Sequence, residues 1–179
     1  MKTKPVWMLL SLLLVLSLFV GTPAAEADGW GHGGARAKRL TGQIDYQFVG
    51  HLGMTDDEGR KLIWEGTIEG DITGTMKWWF GPSPAPGVEY LGGKVGYYAG
   101  RWEIWDLEGK KLLLAGESAG KTVTPVTPDG QLDGMWDGHG VVTEACRGFN
   151  RLRGRRIYET GPVIWAPFPF YGTGIFVIY

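Results

Sequence analysis

From residue 40 to the C-terminus the chain is a succession of short runs of Val, Ile, Trp, Tyr, Phe and Thr, each cut off after eight to twelve residues by Gly, Pro or Asp. No amphipathic helix of ten or more residues can be drawn there, whereas a period of two recurs throughout, and that period belongs to strands with one dry face. It predicts eight strands, over 40–49, 60–69, 71–80, 95–107, 111–123, 134–146, 149–159 and 172–179. Leu62, Trp64 and Ile68 alternate with Lys61, Glu65 and Glu69; after Gly70, Ile72, Met76 and Trp78 alternate with Asp71, Thr75 and Lys77. The pair reads as a hairpin with its apolar residues on one side.

Glycines at 66, 74, 116, 138, 140 and 154 fall inside these strands. An interior glycine weakens an open sheet, so their recurrence needs a geometric reason. Closure into a barrel supplies one, because small residues let strands bend at the corners and leave room inside for rings such as Trp64, Trp78 and Trp102. The expected fold is all-β, a single antiparallel closed eight-stranded barrel. The stretch 81–93 carries three prolines and reads as a rim loop or lid outside the ladder.

The chain has 179 residues, of which 30 are Gly and nine are Trp. Its 18 Lys and Arg against 19 Asp and Glu leave a formal charge of -1, which excludes nucleic-acid binding driven by bulk charge. One cysteine, Cys146, excludes an internal disulfide and a thiolate metal cluster. Before the strands, Lys2 and Lys4 precede an apolar run from Val6 to Val20 and then GTPAAEA, with Ala25 and Ala27 at the small-residue positions of an A-x-A site. Residues 1–27 therefore read as a cleaved secretory signal peptide, 28–39 as a flexible Gly-rich leader and 40–179 as the barrel domain. A secreted or periplasmic location is expected, with no integral membrane association after cleavage.

Within 133–154, Gly138, Gly140, Ala145, Gly148, Leu152 and Gly154 punctuate a strand, a turn and a second strand. This segment resembles the late hairpin of allene oxide cyclase-like and dirigent-like proteins. The resemblance implies a calycin-like, eight-stranded antiparallel barrel with a central hydrophobic cavity, often used for small lipid-like or phenolic molecules. It brings no catalytic residue to this chain.

No P-loop, GxSxG, HExxH or dinucleotide fingerprint is present, and the histidines lie far apart at 32, 51 and 139. Neither a metal nor a cofactor is called for. Glu144 shares a strand face with Trp136 and Val142; with that face inside, it sits in an apolar interior as a general acid or base. A register slip at the glycines would place it in solvent instead. The same alternation points Tyr158 and Asp106 inward, as partners for a ligand polar group or for another buried group, and leaves Arg151, Arg153 and Arg155 as a solvated outer row. Trp64, Trp78, Trp102 and Trp136 are the candidate ligand-binding residues, with core packing as their other use. Trp79, Trp105 and Trp165 fall on outward or loop positions.

The sequence thus points to a barrel that binds a small hydrophobic or aromatic molecule in a Trp-rich cavity. Its alternatives are a cyclase or isomerase working inside the barrel through Glu144, Tyr158 and Asp106, and a carbohydrate- or protein-binding module using exposed Trp.

Overall fold

The computed structural model describes residues 39–90, 93–125, 133–165 and 168–179. The expected signal peptide and all of the expected leader except Arg39 lie outside the described residues. In β1 (Leu40–Phe48) Leu40, Ile44 and Tyr46 are buried while Thr41, Gln43 and Asp45 are exposed, the pattern of a strand with one face on a core. β2 (Lys61–Gly70) and β3 (Gly74–Phe80) form the expected hairpin. They are followed by β4 (Val88–Tyr90), β5 (Gly93–Trp105), β6 (Leu112–Pro125), β7 (Asp133–Ala145), β8 (Arg156–Ile164) and β9 (Tyr171–Ile178).

Pairing runs β3-β2-β1-β9-β8-β7-β6-β5, and β3 pairs back onto β5 from Thr75↔Trp105 to Phe80↔Gly100. Eight long strands, each antiparallel to its neighbours, therefore close into a barrel. β5 is long enough at 13 residues to meet β3 with its C-terminal half and β4 with its start, through Val88↔Val95 and Tyr90↔Gly93. The stretch expected to stay outside the ladder thus contributes one short strand to it. The prolines at 82, 84 and 86 precede that strand, so its donors are intact.

The outward positions of β1 and β2 carry Thr, Gln, Asp, Lys and Glu.

Two irregularities correct the expected register. Between β7 and β6, Ala115 faces Glu144 but Gly116 faces Val142, so Thr143 is an extra residue. Such a bulge reverses the facing of the residues beyond it. Then the chain from Cys146 to Arg155 turns through a 3-10 segment, Asn150–Leu152, and through Gly154 at φ 81°. The last strand before β9 therefore starts at Arg156, not at 149, and buries Ile157, Glu159 and Val163 rather than Arg156 and Tyr158.

One end of the barrel is plugged. Met76, Ile104, Leu114 and Ile157 have no exposed surface, and Trp102 meets Phe176 edge-on at 4.9 Å between ring centres. A Cβ at Gly116 would collide with the Val141 carbonyl and the Trp102 indole, so the glycine is what gives that ring its place.

Candidate functional site

At the other end the interior is not filled. A cavity of about 320 Å³ opens there between the ends of the strands, within the size range of small-molecule sites. Its walls are rings: Trp64 from β2, Trp78 and Phe80 from β3, Trp136 from β7, and Tyr46 from β1, with Trp165 just past β8. Tyr46 is the hub, meeting Trp64 edge-on at 5.2 Å and Trp136 at 5.7 Å, while Phe80 stacks on Tyr98 at 5.0 Å. These spacings are those of favourable aromatic pairs, so the rings brace each other around the space. The Tyr46 hydroxyl donates to the Pro162 carbonyl at 3.1 Å, and Gly172 leaves the space that this ring occupies.

Lys61 and Tyr97 stand at the mouth, both exposed. Among the described residues that line the cavity, Lys61 alone carries a charge, and none is Asp, Glu or His. Among the described residues, the buried indole N–H groups of Trp102, Trp136 and Trp165 find no aligned hydrogen-bond acceptor; that of Trp136 leans on the Tyr46 hydroxyl without reaching good geometry.

Below the rings lies a carboxyl. Glu159 has no exposed surface, and on β8 it is four residues deeper than Val163, which lines the cavity. Trp78 Nε1 donates to its Oε2 at 3.1 Å, Ser118 Oγ donates to Oε1 at 2.8 Å, and the Tyr98 hydroxyl reaches Oε1 at 3.5 Å. A Cβ at Gly138 would strike Tyr98 Oη and approach Glu159 Oε1 at 3.0 Å, so this glycine leaves room for the polar pair. Burial pushes the Glu159 carboxyl above the ordinary glutamate range, against three hydrogen bonds that pull it down. Burial also pushes the Tyr46 and Tyr98 phenols up.

The residues expected from the sequence divide sharply. Trp64, Trp78 and Trp136 come together around the cavity; Trp102 belongs to the plug at the closed end. Glu144 is corrected to the outer wall, where its side chain is 52% exposed and accepts from Arg101 Nη1 at 2.8 Å. Tyr158 also lies outside, its ring 4.9 Å from that of His139. Asp106 is a turn residue, accepting the Lys110 backbone N–H at 2.8 Å, and that bond holds its carboxyl below the usual range.

Trp79 and Trp105 do face outward, and both indole N–H groups donate to Glu103 Oε2 at 3.1 Å while Arg101 Nε donates to Oε1 at 2.9 Å. Trp165, expected on a loop or outer position, is part of the cavity wall. Glu159 was missed. The signal for it is an acid in the period-two series Ile157, Glu159, Gly161, Val163, visible once the strand is started at 156.

Comparison with known protein families, with characterised proteins and with solved structures finds no match to this chain.

Proposed function

We propose that this chain is an exported barrel that binds one small hydrophobic or aromatic molecule in the chamber walled by Trp64, Trp78, Trp136 and Trp165. The observation that carries the reading is the chamber itself: about 320 Å³ left open by rings that brace one another. Large apolar side chains normally pack until such space is gone. An enclosure with aromatic walls and few polar groups favours an apolar occupant of one to three rings. The charged start, apolar run and A-x-A site support export. The β7 segment that resembles allene oxide cyclase-like and dirigent-like barrels fits the same use of the interior.

A cyclase or isomerase working through Glu144, Tyr158 and Asp106 would need those groups at the chamber surface. Glu144, Tyr158 and Asp106 are elsewhere, and Glu159 lies beneath the rings of Trp78 and Tyr98. Binding without chemistry is therefore the better-supported use.

Titration with N-phenyl-1-naphthylamine, a neutral fused-ring fluorophore, tests the reading. The proposal expects saturable quenching of Trp emission with matching sensitised probe emission, at one probe per chain. A signal that never saturates, or one that appears only when the protein is unfolded, overturns it.

A further inference from the structure

Glu159 is more than a binding chamber requires. A carboxyl with no exposed surface is strongly disfavoured as an anion unless a cation pairs with it. Facing it are Trp78 from β3, Tyr98 from β5 and Ser118 from β6, Gly138 from β7, and Tyr46 from β1 at longer range. Its ladder partner on β9 is Phe176. None of these is a cation, and Asp137 on β7 acts on Tyr98 as a second negative charge.

The network can also accommodate the acid form. An indole N–H can only donate, so Oε2 accepts from Trp78 in either charge state. The proton then sits on Oε1, where the Ser118 hydroxyl at 2.8 Å can turn to accept it.

Two of those partners, Trp78 and Tyr98, are also walls of the chamber. Water that enters the open chamber therefore reaches, from the far side, the two groups that hold Glu159. An apolar occupant displaces that water and deepens the desolvation of the anion.

We propose that occupancy of the chamber and ionisation of Glu159 disfavour one another, so that the barrel binds its apolar molecule more tightly with Glu159 protonated and loosens it as pH rises. The inference rests on the binding reading above and adds its regulation. The upward push on the Glu159 carboxyl is in the direction that the linkage requires, and the two phenols stay protonated through the neutral range.

The test is the affinity of the barrel for N-phenyl-1-naphthylamine from about pH 5 to about pH 9, a range over which the probe stays neutral. Wild-type protein should bind about five- to tenfold more weakly at the alkaline end, the scale of a one-unit pKa difference between empty and filled chambers. Glu159→Gln should keep the acid-limb affinity throughout. Calorimetry of the wild type in two buffers of different ionisation heat reads proton uptake on binding directly, and decides the matter even where Glu159→Gln does not fold. Binding that is independent of pH without proton uptake, or that tightens as pH rises, overturns the linkage and leaves the binding function standing. No binding at any pH overturns both.

Discussion

Trp78→Ala lowers the stability of the barrel by about 3–5 kcal/mol, the scale for deleting a fully packed aromatic ring, and abolishes saturable binding of the aromatic probe. The ring is 3% exposed, meets Tyr46 at 5.7 Å and Trp136 at 6.4 Å, and holds Glu159 Oε2 through its N–H. Its loss removes one wall of the chamber and leaves a buried carboxyl oxygen without its donor. The neighbouring change, Trp79→Ala, acts on the outer wall, where that indole shares Glu103 with Trp105. It should cost about 1.5–3 kcal/mol, the scale of one hydrogen bond to a charged group, less than Trp78→Ala, and leave binding intact. Thermal denaturation and probe titration of the two variants check both halves of the expectation. If Trp79→Ala is the more damaging, the facing of β3 is inverted.

The second large effect is on stability against pH. Burial raises the Glu159 pKa in the folded chain, so the folded state keeps a proton that the unfolded chain loses near the ordinary glutamate value of 4.5. The stabilisation is therefore fully present below that value and is lost as pH rises through the folded pKa. Over that window unfolding free energy should fall by up to about 1.4 kcal/mol per pH unit. Asp56 and Asp106, whose pKa values are lowered, act in the opposite sense and only on the acid side of 3.8. Tyr46 and Tyr98 act only above 10. Chemical denaturation of wild type and Glu159→Gln from about pH 5 to about pH 9 isolates the carboxyl: the wild type loses stability with rising pH and the variant stays level. Parallel profiles would show that Glu159 titrates alike in both states.

The barrel was legible because each strand buries one face, and a period of two survives in sequence wherever pairing is regular. Trp78, Trp102 and Trp136 sit in such regular stretches; Trp64 follows a register shift at Ile63, yet all four are buried. The three misplaced residues each come after an irregularity that carries no apolar signal. Glu144 comes after the extra residue Thr143, Tyr158 after the turn at Gly154, and Asp106 after the end of β5 at Trp105, in the turn to β6. A single inserted residue reverses every side chain beyond it, so an alternation counted across a bulge assigns the wrong face. Glu159 was hidden for the same reason, since counting from 149 put its neighbour Tyr158 inside. Trp165 lies beyond the end of β8, where alternation no longer applies; the turn of the chain alone brings its ring against Trp64, at 5.3 Å.

A crystal structure of the barrel grown with a brominated naphthalene locates the occupant by the anomalous signal of the bromine. The signal should lie within the chamber, in contact with Trp64, Trp78 and Trp136. Bromine found only on the outer wall, beside Trp79 and Trp105, with the chamber still empty, would contradict the assignment of the interior as the binding site.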